Sequence, residues 1–244
     1  MRAFLLLVLL VPLTAKAGEV PPGFVYLRDI DASIAQDMRY ASDDNFVGRP
    51  LPGYGAPECI LRRDVAQALA KVQADLAPRR LSLKVYDCYR PRRAVAAMAR
   101  WANDGARGEP TKRFFPALEK RTLFGQGYIA SQSAHSTGSA VDLTLIALPA
   151  ATQSPYDKAA PYGPCTGPAA QRAPDNSLDM GTGYDCFDGM SSTFASNITA
   201  EQNRARNALN DAMRKHGFKS YFREWWHFSF GKAGTGYDVP ITGR

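Results

Sequence analysis

The amino-acid sequence predicts an α+β fold, because helical and extended segments follow one another in mixed order. Helical signals occupy three stretches, which are 61–76, 91–102 and 199–215. Strand-like patterns occupy four others, which are 81–87, 140–146, 218–222 and 225–230. Regular β-α-β alternation is missing, which disfavours a doubly wound parallel sheet. With 244 residues, of which 45% are hydrophobic, the chain suffices for one domain with a sizeable core.

Each predicted helix is supported by a local signal. In Leu61–Leu76, apolar residues recur three and four positions apart, as on one face of a helix. The second helix begins at Pro91, and proline is well suited to the first helical turn. The third follows Thr199, which can form a capping box with Gln202, and Gly217 is its predicted stop.

Two of the predicted strands carry informative side-chain patterns. In the first, apolar residues alternate with polar ones up to about Asp87. In the second, Ala140–Ile146, Asp142 faces the side opposite to Val141 and Leu143. We therefore expect Val141 and Leu143 to pack in the core and Asp142 to project from a rigid element on the other face.

The segment Leu148–Asn176 is predicted to be a surface insertion or a lid. It is rich in Pro, Ala, Gly and Ser, and it is longer than ordinary connections between secondary-structure elements. No internal repeat divides the sequence, so residues 18–244 are expected to form a single domain that carries this insertion near 148–176.

The first 17 residues predict a secretory signal peptide. Met1 and Arg2 give a short positive start, and the apolar run Ala3–Leu13 is too short to cross a bilayer as a mature helix. Ala15–Lys16–Ala17 supplies the small-x-small pattern of a cleavage site. We therefore expect an exported protein, periplasmic or secreted. Gly18 rather than Cys follows the cut, which argues against a lipoprotein anchor, and no other apolar run predicts stable membrane insertion.

The charge of the chain disfavours nucleic acid as a partner. The formal net charge of +7 falls to +5 when Arg2 and Lys16 leave with the signal peptide. The basic residues are scattered, and no long basic run is interleaved with aromatic residues.

The four cysteines are predicted to form two disulfides. They show no CxxC spacing, which argues against a thiolate zinc site, and an even number in an exported chain favours disulfides. Three pairings are open. We favour Cys59–Cys88 with Cys165–Cys186, because the members of each pair belong to one region of the chain.

A first candidate metal motif is SAHSTGSAVD, at residues 133–142. His135 and Asp142 lie seven residues apart, and Gly138 between them permits a tight turn. Imidazole and carboxylate donors are the ligands that a zinc site uses, so His135 and Asp142 are candidate zinc ligands.

A second candidate motif is EWWHF, at residues 224–228. Catalytic zinc typically has three protein ligands and an open position for water, and a neighbouring carboxylate takes the proton of that water. His227 would supply the third ligand and Glu224 the carboxylate. Because the segment is strand-like, residues three apart should face opposite ways, so we predict a bulge or bend near Trp225 that turns both inward. The third histidine, His216, is expected to lie at a helix end.

The pattern SxHxxGxAxD followed far downstream by ExxH resembles the zinc D-Ala-D-Ala peptidases, and most closely the D-alanyl-D-alanine dipeptidases. Further matching stretches are Met38–Ala41, Asp44–Phe46, Tyr89–Val95, Gly127–Ser131, Met180–Gly181 and Tyr184–Asp185. The resemblance implies a small antiparallel sheet with flanking helices and one zinc ion per chain. It also implies hydrolysis of free D-Ala-D-Ala to two D-alanines.

The same resemblance implies roles for individual residues. The implied zinc ligands are His135, Asp142 and His227. Glu224 is implied to be the general base, and Arg90 to stabilise the developing oxyanion. The implied substrate-binding residues are Asp185 at the amino end of the dipeptide, Ser133 near its carboxylate, and Tyr40. Asp188 competes with Asp185 for its role, and Ser133 has the alternative role of supporting the turn.

Two rival functions are open at this point. One is a D,D- or L,D-carboxypeptidase or endopeptidase that acts on peptidoglycan stem peptides, and it would need an open groove. The other is a non-catalytic, zinc-containing wall-binding module. Glu224 disfavours the module, because metal binding alone requires no general base.

Overall fold

A computed structural model describes residues 19–106 and 110–243 of the protein, and the predicted signal peptide lies outside them. The strands in chain order are β1 (Phe24–Tyr26), β2 (Ala35–Gln36), β3 (Ile60–Arg62), β4 (Leu81–Asp87), β5 (Ala140–Ala147), β6 (Phe218–Tyr221) and β7 (Glu224–Phe230). Five of them form the main sheet in the order β2-β4-β5-β7-β6, while β1 pairs with β3.

The main sheet is antiparallel except at one edge, where the short β2 runs parallel to β4. The predicted α+β fold with a small antiparallel sheet is therefore confirmed, with β2 as a departure. β5 is the middle strand, and Asp142 on it lies opposite Asp87 of β4 and opposite His227 of β7. The centre of the sheet thus brings together residues that are far apart in the sequence.

The helices are α1 (Leu27–Ile30), α2 (Arg63–Leu76), α3 (Arg92–Ala102) and α4 (Ala200–Lys215). The predicted capping box at the start of α4 is present, with reciprocal hydrogen bonds between Thr199 and Gln202. Among the described residues, no helix has the combined length and apolarity that a bilayer crossing requires.

The core packs two of these helices against β5. Buried residues of α2 and α4 share one cluster with the core-facing side chains of β5, and its members include Val65, Leu69, Val72, Val141, Leu143, Leu145, Leu209 and Met213. A second cluster contains the buried face of α3, including Ala94, Met98 and Trp101. The predicted inward orientation of Val141 and Leu143 is confirmed.

Helix α2, which corresponds to the first of the three predicted helices, begins later than its apolar spacing predicts. Leu61 belongs to β3 and pairs with Val25 of β1, and α2 begins at Arg63. An apolar residue at position 61 is compatible both with the buried face of a helix and with a buried strand. The spacing of apolar residues alone therefore does not distinguish the two structures. The backbone of residues 60–62 pairs with β1, and this long-range contact decides the outcome.

Both favoured disulfides are present. Cys59 is bonded to Cys88 and Cys165 to Cys186, and each pair is buried. The first links the residue before β3 to the residue after β4, and Cys88 immediately precedes Tyr89 and Arg90 of a matching stretch. The second fixes part of the insertion to the segment that carries Asp185.

The insertion Leu148–Asn176 lies against the sheet edge near β4. Lys84 of β4 donates hydrogen bonds to Gln153, Asp175 and Asn176, at 2.9, 2.7 and 2.8 Å. Much of the segment between these anchors is exposed. Its position supports the predicted surface insertion.

Replacing Cys59 and Cys88 together by alanine is expected to lower the free energy of unfolding by about 2–5 kcal/mol, because the unfolded chain regains conformational freedom. Urea denaturation followed by circular dichroism measures the change. Thiol titration of the denatured, unreduced wild-type protein should detect no free cysteine. Detection of all four thiols would show that neither bond forms.

Candidate metal centre and pocket

The three predicted ligands converge on one point. His135 lies on the short turn Ala134–Thr137 just before β5, while Asp142 and His227 are cross-strand partners on β5 and β7. His135 Nε2 is 3.1 Å from His227 Nδ1 and 3.3 Å from Asp142 Oδ1. His227 Nδ1 is 3.0 Å from Asp142 Oδ1. The structure thus places three donor atoms at the corners of a small triangle.

Gly138 allows the turn to bring His135 back over the sheet. Its φ of +67° is in the left-handed region, and a Cβ at this position would collide with the ring of Phe24. The Ser133 hydroxyl accepts a hydrogen bond from the His135 backbone N–H at 3.2 Å and caps the start of the turn. The structure therefore gives Ser133 the supporting contact that was its alternative role, and Ser133 also lines the cavity beside the triangle.

A hydrogen bond outside the triangle fixes the orientation of His135. Its Nδ1 lies 2.8 Å from the Cys88 carbonyl oxygen, and a carbonyl only accepts, so Nδ1 carries the proton. The lone pair of Nε2 then faces the triangle. On the other ring, His227 Nε2 is 3.4 Å from the Ser229 hydroxyl, which leaves His227 Nδ1 facing the same point.

The donor set and its spacing fit a tetrahedral metal ion. Zinc at about 2.0–2.1 Å from nitrogen and oxygen ligands holds neighbouring ligand atoms about 3.3 Å apart. Burial lowers the pKa of His227, which favours the neutral, coordinating ring. Burial opposes the charge of Asp142, but His135 and His227 hold the pKa of that carboxyl well below its ordinary value. Two imidazoles and one carboxylate therefore form a possible metal site.

Glu224 lies beside the triangle, with its Oε2 4.0 Å from His227 Nδ1. The predicted bulge is present: Ser220 of β6 pairs with Phe228, but the next residue, Tyr221, pairs with Glu224. This irregularity lets both Glu224 and His227 line one cavity. Burial raises the pKa of the Glu224 carboxyl well above its ordinary value, and the nearby Asp142 and Asp185 charges add to the shift.

Arg90 is held at the cavity by Asp87. The Nε and Nη2 atoms of Arg90 both lie 2.8 Å from Asp87 Oδ2, and its guanidinium lies 4.9 Å from the centre of the Tyr40 ring. Burial disfavours the charged guanidinium, but Asp87 and other nearby groups hold the pKa of Arg90 above its ordinary value. Arg90 Nη2 is also 3.6 Å from Asp142 Oδ2, so this cation lies next to the triangle.

Asp185 and Tyr40 form a second polar group in the cavity. The Tyr40 hydroxyl donates a hydrogen bond to Asp185 Oδ2 at 2.8 Å. Asp185 has a φ of +56°, in the left-handed region that is unfavourable for a non-glycine residue and occurs at functional sites. Burial raises the pKa of the Asp185 carboxyl, and the Asp142 charge raises it further. A cation placed here would therefore gain a buried partner.

Two other residues lie outside this arrangement. Asp188, the competitor of Asp185, accepts a hydrogen bond from the Met190 backbone N–H at 2.9 Å and caps a short turn. His216 lies at the end of α4 as predicted, and its Nε2 is 2.6 Å from Asp75 Oδ2.

The cavity is small and carries charged groups on several sides. Its volume is about 230 Å³, below the ~300–1,000 Å³ range of pockets for drug-sized ligands. Polar residues on its wall include Tyr40, Arg90, Gln132, Ser133, His135, Asp142, Asp185, Glu224 and His227. None of the described residues that line this cavity comes from the insertion at 148–176.

Comparison with known proteins is decisive for the family. The family profile described as D-Ala-D-Ala dipeptidase, peptidase M15, matches residues 21–154 and 169–242. The chain belongs to this family. The unmatched residues 155–168 lie inside the insertion. Membership confirms the predicted enzyme class, a metallopeptidase, over the non-catalytic binding module.

Similar proteins from several bacteria match most of the chain. The D-alanyl-D-alanine dipeptidase of Enterococcus faecalis is 33% identical over 84% of this chain and 90% of its own length. The protein of the same name from Streptomyces coelicolor is 31% identical over 89% of this chain and 98% of its own length. The one from Escherichia coli is 28% identical, covering 82% and 80%.

Asp87 is a residue of this M15 site that the sequence motifs did not reveal. It is fully buried at the end of β4, its Oδ1 accepts a hydrogen bond from Tyr54 at 2.6 Å, and its Oδ2 lies 3.3 Å from His135 Nδ1. With its bonds to Arg90, Asp87 links the arginine to the metal-ligand turn. Its position two residues before the matching stretch Tyr89–Val95 was the available signal.

Replacing Asp87 by alanine is expected to destabilise the fold by about 3–5 kcal/mol, because the buried Arg90 charge loses its closest carboxylate partner. Chemical denaturation measures the loss. The matched control is Asp64→Ala, which removes the exposed partner of Arg62 and should cost about 1 kcal/mol or less. Equal losses in both variants would contradict the role assigned to Asp87.

Proposed function

We propose that this protein is an exported zinc dipeptidase that hydrolyses D-alanyl-D-alanine to two D-alanines, in wall turnover or nutrient salvage. The observation that carries the proposal is one small cavity that holds the His135–Asp142–His227 triangle, Glu224 and Asp185 together. The names of the relatives from three bacteria support the same substrate.

The triangle would hold one zinc ion per chain. Two imidazole nitrogens and a carboxylate oxygen are a frequent ligand set of catalytic zinc, and such a site retains an open position. When bound, the ion acts as a Lewis acid that activates water and polarises the scissile carbonyl. The Cys88 carbonyl keeps the His135 ring in the tautomer that this requires.

Glu224 is the proposed general base. Its carboxylate takes a proton from the attacking water and passes it to the leaving amino group. Burial beside Asp142 and Asp185 raises the pKa of this carboxyl, which favours its acceptance of the proton from water. Arg90, which Asp87 holds at the cavity, is the proposed stabiliser of the negative charge that develops on the carbonyl oxygen.

Asp185 is the proposed anchor for the substrate's ammonium group. Its carboxylate is buried and accepts a hydrogen bond from the neutral Tyr40 hydroxyl, so an incoming ammonium would supply the cationic partner. A free dipeptide places an amino group one residue from its scissile bond, whereas a stem peptide continues there. The enclosed acid in a small cavity therefore favours the dipeptide over the rival wall peptides.

Export is supported by the two disulfides, since such bonds persist mainly in oxidising compartments. N-terminal sequencing of protein from the periplasm or medium should find Gly18 as the first residue. Uncleaved protein confined to the cytoplasm would contradict export.

Glu224→Ala is expected to retain one zinc per chain but to lose a factor of about 10²–10⁴ in kcat, because proton transfer loses its base. Kinetics with D-Ala-D-Ala and metal analysis of the same preparations measure both properties. His135→Ala is the control that should lose zinc. A Glu224→Ala enzyme with nearly wild-type turnover would overturn the mechanism, and one that lost zinc would make Glu224 a ligand.

The same assays separate the dipeptidase from its rival. Wild-type enzyme should hydrolyse free D-Ala-D-Ala and leave a stem pentapeptide ending in D-Ala-D-Ala intact. Faster release of D-alanine from the pentapeptide would assign the protein to the carboxypeptidases instead.

A further inference from the structure

The carboxylate of Asp142 is held on both of its oxygens. Oδ1 faces the metal triangle, 3.0 Å from His227 Nδ1 and 3.3 Å from His135 Nε2. Oδ2 accepts a hydrogen bond from the Tyr184 hydroxyl at 3.0 Å. Tyr184 thus contacts the oxygen turned away from the two histidines.

The ring of Tyr184 is confined by its neighbours. It stacks on Tyr86, with ring centres 4.5 Å apart and an angle of 21° between the planes, and it meets Trp226 edge to face at 5.5 Å. Tyr184 is 6% exposed and is not among the described residues that line the substrate cavity. Its hydroxyl is therefore directed at Asp142 rather than at a ligand.

Tyr86 is fixed in turn by the insertion. Its hydroxyl donates a hydrogen bond to Asp175 Oδ2 at 2.6 Å. Asp175 also pairs with Lys84 at 2.7 Å and with Arg39 at 2.9 Å. Burial opposes the charge of this carboxyl, but Arg39 and Lys84 lower its pKa to about 2, so it remains an ionised acceptor.

We propose that Tyr184 is a positioning residue for Asp142, and that the insertion acts through Asp175 and Tyr86 to keep Tyr184 in place. The inference rests on the proposed metal centre. A hydrogen bond from outside the ligand set orients a metal-binding carboxylate, and loss of such a bond typically weakens metal affinity about 10–100-fold. The insertion thereby restricts the movement of the residues that pack behind the metal centre.

The test is zinc affinity. Each protein is first stripped of metal, and zinc rebinding is then measured by competition with a chromophoric chelator. Tyr184→Phe keeps the stacked ring and removes the hydroxyl, and it should raise the zinc dissociation constant about 10–100-fold. Tyr86→Phe should shift it in the same direction, because the ring loses its bond to Asp175. The matched control is Tyr26→Phe, which removes a buried hydroxyl bonded to the Thr242 carbonyl at 3.0 Å.

Thermal unfolding of the metal-free proteins separates positioning from general stability. A purely structural role would lower the unfolding midpoint of Tyr184→Phe and leave its zinc affinity at the wild-type value, and that result would overturn the proposal. If Tyr184→Phe lowers zinc affinity but Tyr86→Phe does not, the role proposed for the insertion would be overturned. A wild-type protein that binds no zinc would instead overturn the proposed metal centre itself.

Discussion

A carboxylate buried in the middle strand of the sheet is the constraint on which the rest of the structure depends. Asp142 is 2% exposed, and an uncompensated charge at such a position would cost several kcal/mol. His135, His227 and Arg90 approach it from separate segments, and each of them is oriented by a further contact. Arg90 is held by Asp87, which also approaches His135, so the cavity is one connected network of polar groups.

Much of this arrangement could be predicted because its strongest signals are local. The triangle comes from two short motifs, and the bulge follows from the conflict between a strand pattern and two inward side chains three residues apart. Elements with caps or clear periodicity, such as α4 and β5, were placed within a residue or two. The local spacing of residues was sufficient to predict these features.

The features that escaped prediction depend on contacts between distant segments. Asp87 gains its role only when β4 pairs with β5 and Tyr54 approaches from another loop. Leu61 enters a strand because β1 lies beside it. The predicted surface insertion is attached to the sheet by the ion pair of Lys84 and Asp175, which the sequence pattern did not indicate. None of these pairings leaves a periodic or motif-like trace in the sequence.

The direct opposition of Asp142 and His227 across β5 and β7 gives the metal centre a second property. Side chains alternate between the two faces of a strand, so a slip of one residue in this pairing would turn one donor to the opposite face. A misaligned sheet would therefore present no complete triangle. A ligand that binds only the native state stabilises that state. Metal binding would therefore stabilise the correct strand register over registers shifted by one residue.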